Sequence, residues 1–435
     1  MRTERDMLGE QDLDDTLYGL QTLRAYENFG TACHRTKLSL IYAITLVKKA
    51  AAMSYEQLAE KDGELQKKSH IWAAIILACD KILDGDADSA FITSALQGGA
   101  GTSTNMNVNE VIANLALSIL NEPLGSYDIV HPLDDVNRGQ STNDVYPTAL
   151  RIASIQKLQT LSEACASLQE ALQKKELEFE HIKKLGRTEM MDAMEITLGA
   201  EFGAFAQGIA RDRWRLYKME ERLRQVNLGG TAVGTSAHTD KKYRYLILEN
   251  LRLLTDIGLA AAEYPMDITQ NQDVFVEVSG LLKALAVNLM KIASDLRLMA
   301  SGPSGGLHEI TLPALQRGST IMPGKVNPVI PEMVTQIGIR VIANDNAITL
   351  AASNGNFELN AFLPLIADSL LESLDLLTEG VTLLRTKCID GICANEQQCK
   401  KMLEDSSVNI YHEAVDKGYD NAERHYYEKL SSKDH

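Results

Sequence analysis

The 435-residue chain has little of what fixes a small secreted or nucleic-acid-binding fold. It holds six cysteines, at 33, 79, 165, 388, 393 and 399, without a CxxC pair. That excludes a disulfide framework, which a chain this long does not need. Cys388, Cys393 and Cys399 are close in sequence, but their spacing fits no zinc pattern and no histidine pair lies nearby. They read as ordinary reduced thiols. Basic residues are the minority, 43 against 59 acidic ones, and the formal net charge is -16. A polyanion would be repelled, so neither nucleic acid nor an anionic membrane surface is an expected partner. Long apolar runs are absent too. The strongest, IWAAIILAC at 71–79, is far too short to span a bilayer, and MRTERDMLGEQDLDD at the start carries no signal-peptide pattern. A cytoplasmic protein is expected. Familiar catalytic sets are missing as well: there is no HExxH, GxSxG, GxxxxGK[ST] or strand-linked GxGxxG.

What the chain does have is helix. Only 10 prolines interrupt it, and apolar residues recur at helical spacing over long stretches. From Val145 to about Lys184 the pattern runs through Leu150, Ile152, Ile155, Leu158 and Leu161, then Leu168 and Leu172. Pro147 falls near its start, where a first turn tolerates proline. Similar stretches cover about 197–226, 273–300, 332–353 and 360–385. Strand-like alternation is scarce, so the fold class is all-α. Roughly 40 residues of helix extend about 60 Å, more than one compact domain can cover. A bundle of long helices shared between subunits is expected. The breaks suggest a helical segment over 1–140, a central bundle over 141–395 and a short segment over 396–435.

Four glycine- and hydroxyl-rich stretches break this pattern: GGAGTSTNMN (98–107), GQSTND (139–144), GRTEMMDA (186–193) and SGPSGG through GSTIMPGKVNP (301–328). Each is expected before or between helices, and a helix start with free N–H groups is a ready anion site. Any one of them could be a simple N-cap. Four together in one helical chain point to carboxylate binding. His131, before GQSTND, and His308, after SGPSGG, are expected to pack their loops.

GSTIMPGKVNP resembles the signature loop of the aspartase/fumarase superfamily, GSSxMPxKxNP, and the other three stretches resemble its remaining motifs in the same order. The similarity runs from LYGLQTLRAYENF (17–29) to CIDGICANEQQC (388–399). VNPVIPEMV, LPALQRGS and CIDGICAN are closer to the amine branch of the superfamily, whereas NMNVNEVIAN and GGTAVGT are closer to the hydratase branch.

The resemblance implies a three-domain, all-α homotetramer with a shared helical core, and active sites built from three subunits. It implies elimination of ammonia from an aspartate-type amino acid to give fumarate, with no cofactor and no metal. Ser319 would be the general base, with Lys325 supplying positive potential. Lys325 and Asn327 would hold the α-carboxylate, with Met322 shaping the pocket. Thr102, Ser141, Thr142 and Thr320 would hold the β-carboxylate, where the charge of the aci-carboxylate intermediate develops. Asn143 and Thr188 would contact the leaving group or the adjacent oxygens.

This sequence departs from the family pattern at Glu189, where His or Gln usually follows GRT. A carboxylate facing a dianionic substrate needs a cation between them, and the ammonium of an amino acid is one. Pairing with a nearby Arg or Lys is the structural alternative. Glu195, Thr320 and the Ser236-Ala237-His238 stretch also depart from the pattern, which leaves an N-substituted or diamino succinate as a second substrate class. A fumarate hydratase, or a relative that kept the fold without activity, completes the alternatives; the presence of Ser319 and Lys325 argues against the last. The 36 residues after Cys399 (400–435) read as a reduced form of the family's terminal helical domain.

Overall fold

Among the described residues, five helices of 25 residues or more form the frame: Thr142–Glu178, Leu198–Leu223, Asp273–Met299, Val329–Ser353 and Leu363–Lys387. They coincide with the five periodic stretches, and the fold is all-α. The computed structural model describes residues 1–433, as backbone alone at 409, 411–413 and 429–433. Leu150, Ile152, Ile155, Leu158, Leu161, Leu168 and Leu172 are all buried to within 2 %. Apolar residues three or four apart thus do form the core-facing stripe. Among the described residues no helix is long and apolar enough to cross a membrane.

Two details differ from expectation. The helix begun at Thr142 ends at Glu178 rather than near 184. Its end is fastened by the start of the next long helix, where Leu198 N donates to Ile182 O (2.8 Å) and Gly199 N to Phe179 O (3.0 Å). Pro147 is the sixth residue of its helix, beyond the first turn, so the Asn143 carbonyl receives no intrahelical N–H. Asn227, 1 % exposed, supplies the missing donor through its side-chain amide at 3.0 Å. Replacing Asn227 with Leu leaves that carbonyl unpaired. It should lower stability by about 1–3 kcal/mol in denaturant melts, and a loss under ~0.5 kcal/mol, the usual cost of a neutral surface change, would refute the account.

The chain divides into two units, Met1–Gln159 with Leu216–Leu282 and Ile342–Asp375, and Thr160–Arg215 with Lys283–Val341 and Leu376 to the end. In the first, helices Leu38–Ala59, Ser69–Leu83, Thr102–Ile119 and Lys241–Thr255 pack on one another. Glu110, buried in the third of these, caps the Leu20–Phe29 helix. Its carboxylate accepts from Gly19 N (3.0 Å), Gln21 N (2.9 Å), Thr22 N (3.1 Å) and Thr22 Oγ1 (2.6 Å).

In the second unit, an antiparallel hairpin pairs Lys183–Thr188 with Met191–Thr197. The short helices Glu396–Asp405 and Val408–Lys417 pack on it. The hairpin was not foreseen: GRTEMMDA is strand, turn and strand. Helices Asp273–Met299 and Val329–Ser353 meet at Gly338, where an added Cβ would lie 2.4 Å from Met290 Cγ. A larger residue there would require the Met290 side chain to move.

Candidate active site

In the first unit two helix starts converge. The turn Gly99-Ala100-Gly101 runs through left-handed backbone at all three residues and delivers Thr102 as the first residue of its helix. Gly101 lies flat against the Tyr146 ring, where a Cβ would come within 2.3 Å, so this turn abuts the helix that begins at Thr142. Asn105, one turn into the first helix, donates its amide to Thr142 Oγ1 at 3.0 Å. Thr102 is exposed, with its hydroxyl on Gly99 O at 2.7 Å.

Ser141 and Asp144 form a reciprocal cap at the second helix start. Asn143 N donates to Ser141 Oγ (3.2 Å) and Ser141 N to Asp144 Oδ1 (3.0 Å). The other Asp144 oxygen accepts from Gly229 N (3.1 Å) and Thr231 N (2.9 Å), and Asn143 Nδ2 donates to Ala232 O (2.8 Å). STND is therefore both an N-cap and a clamp on the 229–232 loop. Burial pushes Asp144 up to about 6, with the backbone N–H groups and Lys48 pulling the other way. Behind this start lies Lys48, fully buried, its ammonium on Asn137 Oδ1 at 2.7 Å. Desolvation pushes Lys48 down to about 7, against the attraction of Asp144.

The second unit holds Thr188, Glu189 and the signature loop. Thr188 pairs with Met191 in the hairpin register, so Glu189 and Met190 are the whole turn. Both have positive φ, 54° and 69°, a two-residue turn that favours Asn and Gly. An exposed glutamate held in that conformation is a candidate for function. Among the described residues Glu189 has no ion-pair partner. Glu195 has one in Lys183 at 2.7 Å.

The hairpin is anchored from beneath. Glu309, 0 % exposed, accepts from Lys184 Nζ (2.7 Å) and Arg187 Nη1 (2.8 Å), while Glu201 takes a second bond from Lys184 (2.7 Å). Arg187 directly precedes Thr188, and Glu309 lies ten residues before Ser319. One buried charge cluster therefore ties the hairpin to the segment that leads into the loop.

The loop closes on itself. Gly318 N donates to Lys325 O (2.8 Å) and Asn327 Nδ2 to Gly318 O (2.9 Å). A Cβ at Gly318 would sit 2.7 Å from Lys325 O and 2.9 Å from Asn327 N, so only glycine completes the ring. Inside the ring, Ser319 Oγ accepts from Ile321 N (3.2 Å) and Met322 N (2.9 Å). Residues 314–326 surround an open cavity of about 610 Å³ whose lining includes Ser319, Thr320, Met322 and Lys325. Lys325 is exposed and has no carboxylate partner among the described residues.

The structure thus places Thr102, Ser141, Thr142 and Asn143 in one unit, and Thr188, Glu189, Ser319, Thr320, Met322, Lys325 and Asn327 in the other. Lys48, Asn105, Asn137, Asp144 and Glu309 escaped the sequence reading. The S-x-x-D spacing of Ser141 and Asp144 was a legible cap signal, whereas nothing in the sequence pairs Lys48 with position 137. His131 is a loop residue as expected, its Nδ1 accepting from Leu133 N and Asp134 N at 3.1 Å each.

The frame of long helices and the hydroxyl-rich helix starts are those of a lyase: the lyase family model matches residues 10–343, and the chain belongs to that family. More narrowly, it is a member of the aspartase/fumarase superfamily. It is 44 % identical over 434 residues to an aspartate ammonia-lyase of Pseudomonas fluorescens, covering 97 % of this chain and 88 % of the relative. A solved fumarate lyase:delta crystallin of Brucella melitensis superposes with a TM-score of 0.94 at 44 % identity, covering 99 % of this chain and 93 % of that one. A class II fumarase of Schistosoma mansoni gives 0.92 at 30 % identity, covering 97 % and 91 %.

Proposed function

We propose that the chain is an ammonia-lyase that removes ammonia from an aspartate-type amino acid and yields fumarate. The observation that carries the reading is the cradle at Ser319, where two backbone N–H groups point at Oγ. A serine hydroxyl is too weak an acid to serve as a base unaided. Donors already in place at its oxygen, with the Lys325 ammonium on the same cavity wall, favour the alkoxide. The alkoxide takes the Cβ proton, and the electron pair moves into the adjacent carboxylate to form the aci-carboxylate. Collapse of that species expels the amine from Cα as the double bond forms. Thr102, Ser141, Thr142 and Thr320 serve the β-carboxylate, where fixed donors oppose the developing charge. Lys325 and Asn327 take the α-carboxylate beside Met322, and Asn143 and Thr188 face the leaving group.

The identity to the Pseudomonas aspartate ammonia-lyase, higher than to the fumarase, supports the amine branch. Incubation with L-aspartate should raise the ultraviolet absorbance of fumarate. No rise with aspartate, together with malate–fumarate interconversion, would replace this reading with a hydratase.

Glu189 supports a second reading, the same chemistry on an N-substituted or diamino succinate. Its carboxylate at the hairpin turn, without an ion-pair partner among the described residues, is suited to a cationic amine. Glu189→Gln should lower kcat/KM for the preferred amine about 10- to 100-fold, the value of a charge-assisted hydrogen bond. Fumarate with a panel of amines identifies that amine. An unchanged ranking in the variant would remove Glu189 from the site.

Assembly as a homotetramer, with each site drawn from three copies, is part of the same proposal. Ile339 and Leu350, three turns apart on one helix, are 56 % and 65 % exposed, which supports burial against further copies. Light scattering at the monomer mass would refute it.

A further inference from the structure

Lys48 is a buried amine for which the reaction above has no use. It is 0 % exposed, and its ammonium donates to Asn137 Oδ1 at 2.7 Å. The same oxygen accepts from Asn105 Nδ2 (3.2 Å) and Asn109 Nδ2 (3.3 Å). Asn105 Nδ2 also donates to Thr142 Oγ1 at 3.0 Å. A hydrogen-bond chain therefore runs from Lys48 through Asn137 and Asn105 to Thr142, at the helix start assigned to the β-carboxylate.

The direction of this chain matters. A side-chain amide can turn over and exchange its donor and acceptor ends, and a hydroxyl follows whichever partner it meets. Asn105 Oδ1 and Asn109 Oδ1 are buried without partners, so nothing on their acceptor side holds these amides in place. Their orientation depends on Asn137 presenting its oxygen to them. Two contacts enforce that: Asn137 Nδ2 is committed to Gln140 O at 3.2 Å, and Lys48 Nζ donates to Asn137 Oδ1 at 2.7 Å. With Asn105 donating, Thr142 Oγ1 is an acceptor on its inner side. Its hydrogen has no acceptor among the described residues and is left for a ligand.

We propose that Lys48 is a positioning residue for the carboxylate subsite. From the buried end it fixes the direction of the chain, so that Thr142 presents its hydroxyl hydrogen to the bound carboxylate. When protonated, Lys48 also places positive charge behind the helix start, where two helix N-termini already meet. Asp144, the acidic group nearest it on that start, turns its oxygens to backbone N–H groups of Ser141, Gly229 and Thr231. The inference rests on the carboxylate-binding role proposed above for Thr142.

The test is calorimetric binding of succinate, a dicarboxylate with no leaving group, so that binding is read apart from turnover. In the full-length protein, Lys48→Met should weaken succinate binding about tenfold, the share of one charge-assisted hydrogen bond. Asn105→Leu cuts the chain without removing a charge and should cause a similar loss, and it serves alone if Lys48→Met fails to fold. In a Thr142→Val background, either substitution should add less than about twofold, since residues acting through one another are not additive. A merely structural Lys48 would lower melting temperature and show no such coupling. Succinate affinity within twofold of wild type in the folded variants, or a Lys48→Met or Asn105→Leu loss undiminished in the Thr142→Val background, overturns the proposal. Failure of the wild type to bind succinate overturns the carboxylate reading and this inference with it.

Discussion

Ser319→Ala abolishes turnover and leaves the fold intact. The expected loss in kcat is at least about a thousandfold, within the range ascribed to a positioned proton-transfer group. The variant removes one oxygen from an exposed loop, and water can satisfy the Ile321 and Met322 N–H groups that lose their acceptor. The ring closure between Gly318 and Lys325 does not involve the Ser319 side chain, so the loop keeps its shape. Melting temperature and succinate affinity should therefore stay near wild type. Exchange of the Cβ hydrogen with solvent should vanish along with product formation, because both need the same abstraction. Turnover within tenfold of wild type would place the base elsewhere. Loss of turnover accompanied by loss of succinate binding would make Ser319 a binding group instead.

Glu309→Leu carries the largest expected effect on stability. Glu309 is fully buried between Lys184 and Arg187, and its removal leaves Arg187 without its carboxylate and Lys184 with Glu201 alone. Breaking one partner out of a buried ion cluster costs about 3–5 kcal/mol, because a desolvated charge loses its compensation. Glu309→Gln keeps the size and one acceptor oxygen and should lose less. The loss should also reach function, since Arg187 holds the strand that ends in Thr188 and Glu189. At a temperature where Glu309→Leu remains folded, its kcat/KM should fall while Ser319 is untouched. A melt within about 1 kcal/mol of wild type, the range of an ordinary exposed salt bridge, would show that the cluster is not held as described.

Much of this was readable in the sequence. Helical periodicity needs only local information, and each periodic stretch became a long helix with its apolar stripe buried. The signature loop was equally legible, since glycine, proline and hydroxyl residues impose their constraints within a few positions. The hairpin at GRTEMMDA was not, because its turn uses Glu189 and Met190, residues that do not favour left-handed backbone. Buried charges under the strand hold it there, and their partners lie more than a hundred residues away in Glu309.

The sequence by itself determined the all-α class, the long helices and the chemical character of four motifs, because each depends on neighbours within a turn or two of chain. Tertiary structure alone decided which groups meet. It gave Asn143 the amide of Asn227 in place of a proline N–H, and Glu309 the two cations beneath the hairpin. It also put Lys48 behind Thr142 by way of two asparagines. A buried polar group must find a partner wherever the fold provides one, and no local pattern records where that is.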